Sequence, residues 1–95
     1  VIDPAPGSNA VNWSSNKSRR TIVGMVANEP WLTYKITAKK GSVTRKGTCK
    51  ATNSTTVTCT VKVPKGKGAW FTNVERKVPW SMEYVGRQAK RFVFA

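Results

Sequence analysis

Apolar and polar positions alternate along most of this chain, and no stretch sustains the three-to-four-residue repeat of an amphipathic helix. The clearest run is Leu32–Lys39, where Leu32, Tyr34, Ile36 and Ala38 interleave with Thr33, Lys35, Thr37 and Lys39. A strand points successive side chains to opposite faces, so one face of this run is dry and the other cationic. A second run sets Val57, Cys59, Val61 and Val63 against Thr58, Thr60 and Lys62. Phe92 and Phe94 alternate in the same way with Arg91 and Val93. Short β-branched stretches punctuated by Gly, Pro and Asn predict strands over Asn9–Trp13, Thr21–Val26, Leu32–Lys39, Val43–Ala51, Thr55–Val63, Ala69–Arg76 and Lys90–Phe94. About seven strands at this spacing predict an all-β antiparallel sandwich. Ala69–Arg76 is less regular, because Thr72 lies between Trp70 and Val74 while Phe71 points the other way. Either a bulge shifts its register or both of its faces are partly covered.

The pattern also pairs the cysteines. Turning the chain back around Asn53, Ser54 and Thr55 sets Cys49 directly opposite Cys59 on neighbouring strands, close enough for a cross-strand disulfide. The short loop so closed is worth about 2–3 kcal/mol in the chain-entropy model. A staple of this kind suits a chain of 95 residues, whose core is small, and it implies an oxidising, extracellular setting. Residues 1–8 read as a flexible lead-in and 9–95 as a single domain. No apolar run approaches the ~18 residues that a membrane-spanning helix needs.

Charge changes the picture most. Seventeen Lys and Arg face four acids, Asp3, Glu29, Glu75 and Glu83, for a net charge of +13. Such an excess repels itself and attracts polyanions, so the partners expected are nucleic acid, an anionic surface, an acidic cell-wall polymer or a small anionic ligand. The chain has no histidine, which removes the commonest general base and rules out Ser-His-Asp and Cys-His catalysis. A paired-carboxylate hydrolase would need two of Glu29, Glu75 and Glu83 to converge. The two cysteines alone do not complete a zinc site. The expectation is therefore a secreted, monomeric, non-hydrolytic binding domain.

Tyr34-Lys35-Ile36-Thr37-Ala38, Thr48-Cys49-Lys50, Val57-Thr58-Cys59-Thr60-Val61 and Val63-Pro64-Lys65-Gly66 resemble fibronectin type III and related immunoglobulin-like domains of secreted actinobacterial proteins. Trp13 looks like the early core tryptophan of those domains. The resemblance implies an immunoglobulin-like sandwich. Trp70 departs from it, standing where the family places a corner tyrosine, and residues 78–87 are richer in aromatics than an ordinary connection. In size, charge and build the chain is also similar to the small secreted antioxidant proteins of skin propionibacteria known as radical oxygenases.

In a sandwich of this type the third, fourth, sixth and seventh strands share a sheet. Its outer face is expected to show Lys35, Thr37 and Lys39, with Arg76 and Arg91 beside them and Lys50 and Lys62 near its edge. A second cluster joins Trp80, Met82 and Tyr84 to Arg87, Lys90 and Arg91, with Trp31 at one end of the sandwich. Aromatics between cations can stack on a planar ligand, a sugar or a base, or they can simply close the core. The anion-binding residues expected are thus Lys35, Lys39, Arg76, Arg87 and Arg91, with Trp80 and Tyr84. An alternative is an antioxidant or redox protein, in which Met25, Met82 and Tyr84 are weak ligands for a planar anionic cofactor such as haem, or methionines oxidise reversibly. A further alternative is a cationic antimicrobial or toxin. Lys65-Gly66-Lys67-Gly68 lacks the spacing and the following helix of a phosphate-binding loop and reads as a mobile basic turn.

Overall fold

Ile22 and Val26, Ile36 and Ala38, Val57, Cys59 and Val61 are the apolar halves of three alternating strands, and all of them are buried. The computed structural model describes residues 11–29, 32–77 and 84–94, the side chains of 84–88 excepted. Its strands are β1 (Asn12–Asn16), β2 (Thr21–Ala27), β3 (Thr33–Lys40), β4 (Val43–Lys46), β5 (Thr48–Ala51), β6 (Thr56–Lys62), β7 (Gly68–Lys77) and β8 (Tyr84–Phe94). They form two four-stranded antiparallel sheets, ordered β1-β2-β6-β5 and β4-β3-β7-β8. This is the immunoglobulin-like arrangement, with an extra edge strand on the second sheet. No helix among the described residues is long and apolar enough to cross a membrane.

The core lies between the sheets. Trp70 and Val74 of β7, Val63 and Phe94 join the seven side chains above, and Val11, Trp13, Tyr34, Cys49 and Phe92 pack around them. Trp13 meets Phe92 edge to face, with ring centroids 5.7 Å apart. Each large aliphatic or aromatic group so buried contributes about 1.5–3 kcal/mol. The disulfide Cys49–Cys59 links β5 to β6 at directly opposed positions.

One expectation needs correction, and one left open is decided. Val43–Ala51 is not one strand, since its first half pairs with β3 in the second sheet and its second half with β6 in the first. The chain crosses at Gly47, whose N–H donates to the Ile36 carbonyl at 2.9 Å. A Cβ there would lie 2.0 Å from the Thr60 carbonyl oxygen, so only glycine fits the crossing. In β7 the register runs unbroken to a single irregularity between Arg76 and Lys77. Trp70, Thr72, Val74 and Arg76 therefore all face inward without a shift, and Glu75 on the other side is buried as well, so of the two alternatives for this strand the partial covering of both faces is the one found. Element ends also move: β1 runs on to Asn16, past the expected end at Trp13, while Asn9 and Ala10 lie outside the described residues, and β8 begins at Tyr84, well before Lys90.

Candidate functional site

The outer face of the second sheet follows from its register. Lys39 of β3 stands opposite Phe71 of β7, which stands opposite Arg91 of β8. The neighbouring rows are Lys35–Glu75–Arg87 and Thr37–Asn73–Ala89, while Val93 lies one row further along, opposite Ala69. On β4, Lys46 and Thr44 continue the rows of Thr37 and Lys39. Lys35, Lys39, Lys46 and Arg91 are exposed. Between these cations the face carries two uncovered apolar side chains, Phe71 at 61% and Val93 at 60% exposure. A ring flanked by ammonium and guanidinium groups offers both a stacking surface and charge.

Of the residues expected at the site, Lys35, Lys39 and Arg91 share this face. Arg76 does not. It pairs with Tyr34 across the sheet, points inward and is 1% exposed. Its guanidinium lies 3.5 Å from the Glu29 carboxylate, which accounts for an arginine being tolerated in the interior. Lys50 and Lys62 belong to the opposite sheet, because β6 pairs with β2 and β5 rather than with β7. Arg87 and Tyr84 take places on β8 opposite Glu75 and Lys77. Trp31, Trp80, Met82 and Glu83 lie outside the described residues. Met25 is on the outer face of the first sheet, between Asn12 and Thr58. Glu75 shares the row of Lys35 on the second sheet's outer face, whereas Glu29 reaches Arg76 on the inner side.

Sequence reasoning missed Phe71 and Val93 as site components. Their signal was parity, since each is a large apolar residue on the polar side of its strand, and an exposed apolar pair is informative where a lone one is not.

Tyr34 locks the end of the sandwich near Glu29. Its hydroxyl accepts from the Glu29 N–H at 2.7 Å and has the Ala27 and Glu29 carbonyls as acceptors at 3.1 and 3.3 Å. Burial pushes this hydroxyl above its ordinary pKa of 10.0, partly offset by the bond from Glu29 and by the Arg76 charge. Trp70, by contrast, has a buried indole N–H with no acceptor, so it does not take over the hydrogen bond of a corner tyrosine.

At the opposite end, the β1–β2 turn and the β6–β7 loop enclose a cleft of about 430 Å³. Arg20 donates through Nη2 to the Pro64 carbonyl at 3.2 Å and to that of Gly66, and it lies 4.2 Å over the Phe94 ring. Lys40 donates to the Lys67 carbonyl. The segment expected to be a mobile basic turn, Lys65–Gly68, is thus tied at two of its carbonyls, with a third bond at Pro64 just before it. No protein-family model, no curated protein and no solved structure matches this chain.

Proposed function

We propose that this is a secreted, non-hydrolytic binding domain whose cationic outer face, on β3, β7 and β8, takes an anionic ligand with a planar or apolar body. The observation carrying the reading is the row Lys39–Phe71–Arg91, with Val93 beside it. Like charges brought together on a sheet cost stability, and large apolar groups left in water forgo their burial energy. Both features are met at once by a partner that pairs its charge with Lys39 and Arg91 and covers Phe71. The fibronectin type III-like build supports the reading, since such sandwiches present their sheet faces and end loops to ligands.

The test uses a fluorescent planar anion, pyrenetetrasulfonate. Wild-type protein is expected to bind it, and Lys39→Glu with Arg91→Glu to weaken binding about tenfold or more, each reversed contact being worth roughly 1 kcal/mol. Phe71→Ser should weaken it independently of salt, whereas the charge contribution should fade as ionic strength rises. Unchanged affinity in both variants, with their melting behaviour intact, would remove the face from consideration.

A further inference from the structure

We propose that the cleft between the β1–β2 turn and the β6–β7 loop is a second binding site, separate from the sheet face, for a densely charged oxyanion group: a phosphate or a sulfate ester. Its lining includes Arg19, Arg20, Lys62 and Lys65, with Val63 and Pro64. Four cations around one cleft need a multiply charged partner, since a single carboxylate would leave most of that charge unanswered. Arginine and lysine both suit tetrahedral oxyanions, the guanidinium through paired N–H donors and the ammonium as a point charge.

Three further observations support a built site. Among the described residues Arg20 carries no ion pair and meets no carboxylate; its Nη2 bonds are to carbonyls, and its Nε is buried without an acceptor. Arg20 also has φ of 55°, a left-handed conformation that costs a non-glycine residue about 1–2 kcal/mol, and from it the side chain reaches across to the loop. Asn16 shapes the same turn by accepting from the Ser18 hydroxyl at 2.8 Å and from the Arg19 N–H at 3.0 Å. The second wall is fixed as well, through the carbonyls of Pro64, Gly66 and Lys67. Rigid walls lower the ordering cost of binding. Among the described residues no acid offsets these charges locally, because Glu29 and Glu75 belong to the far half of the sandwich. The cleft volume is at the small end of ligand sites, which suits a pyrophosphate unit or a charged disaccharide rather than a larger body.

Pyrophosphate and a sulfated disaccharide are titrated separately into the protein in 0.15 M NaCl, with amide chemical shifts followed by NMR and affinity by calorimetry. Shifts are expected to centre on residues 18–21 and 62–66. The triple variant Arg19→Gln, Lys62→Gln, Lys65→Gln, altered only at exposed positions, should bind about tenfold or more weakly. Binding of pyrophosphate alone assigns a phosphate source, and binding of the disaccharide alone a sulfated glycan. Lys39→Glu with Arg91→Glu should leave these affinities within about threefold of wild type, so that failure of the cleft and failure of the sheet face are read separately. Shifts centred on β3 and β8, shifts spread evenly over all basic residues, or no binding of either probe would overturn the proposal. Should the triple variant not fold, the shift map of the wild-type protein decides alone.

Discussion

Individual polar residues in this sandwich do structural work that their charge disguises. Arg76 was expected on the binding face because it is basic and near Lys35 in the sheet, yet it faces the core and pairs with Glu29. Replacing it with methionine should therefore lower stability without changing pyrenetetrasulfonate affinity, the reverse of the Lys39 and Arg91 variants. Tyr34 gives a sharper case. Its hydroxyl is held protonated by burial, so the folded protein binds this proton more tightly than the unfolded chain. Its contribution is complete below the unfolded pKa near 10 and is lost as pH rises through the higher folded value. Tyr34→Phe should cost about 1–3 kcal/mol at neutral pH, because the Glu29 N–H loses its acceptor. In urea titrations at a series of pH values, the gap between wild type and variant should narrow above pH 10. Lysine deprotonation affects both proteins and cancels in the difference. A gap constant up to pH 11.5 would mean that the hydroxyl does not titrate with unfolding.

At the scale of elements, the decisive position is Gly47, where the chain leaves one sheet for the other. An added methyl would meet the Thr60 carbonyl oxygen at 2.0 Å and the Ile36 Cγ2 at 2.7 Å, and backbone atoms cannot swing aside as a side-chain tip can. Gly47→Ala should cost about 3 kcal/mol or more, read from the urea midpoint, whereas Gly41→Ala, with open space around it, should be limited to the strain of its positive φ. Equal losses at the two glycines would contradict the crossing. The strands themselves are legible wherever alternation is clean: β3 and β6 carry their apolar sets inward as read, and the turn between Cys49 and Cys59 sets the two cysteines opposite each other, where the disulfide is found. The split of Val43–Ala51 was not legible by period, because both halves read as one β-branched polar run and only the isolated glycine within it marked the close approach. The inward turn of Arg76 was hidden for a related reason. Parity along β7 places it with Val74, but a charged residue is assigned outward by default, and its partner Glu29 is distant in sequence. Lys35, Lys39 and Arg91 were legible as a face; the cleft at the other end was not, since it is assembled by two loops that no local pattern brings together.

On the scale of the whole molecule, charge and stability pull against each other. The net charge of +13 is not spread against an equal number of acids, and the β1–β2 turn, the β3–β4 turn and the β6–β7 loop bring Lys and Arg to one end of the sandwich. Folding must compress this charge, so screening it should favour the folded state. At about 0.1 M salt the Debye length is near 10 Å, long enough for neighbouring loops to repel and short enough that added salt removes most of the effect. The urea midpoint is therefore expected to rise between 0.02 and 0.5 M NaCl, while affinity for pyrenetetrasulfonate and pyrophosphate falls over the same range. These opposite slopes distinguish a surface assembled for anions from a charge that serves solubility alone. In the second case the basic groups would be far enough apart to leave the midpoint flat, and ligand affinity would not depend on which cations were removed. A further consequence links the two slopes. Because a ligand that binds only the folded chain stabilises it in proportion to the logarithm of its concentration over Kd, pyrophosphate at low salt should raise the midpoint of wild-type protein more than that of the Arg19, Lys62, Lys65 triple variant. The triple variant, relieved of three cations, should itself start from a higher midpoint at low salt, and that advantage should vanish at 0.5 M NaCl, where repulsion is already screened.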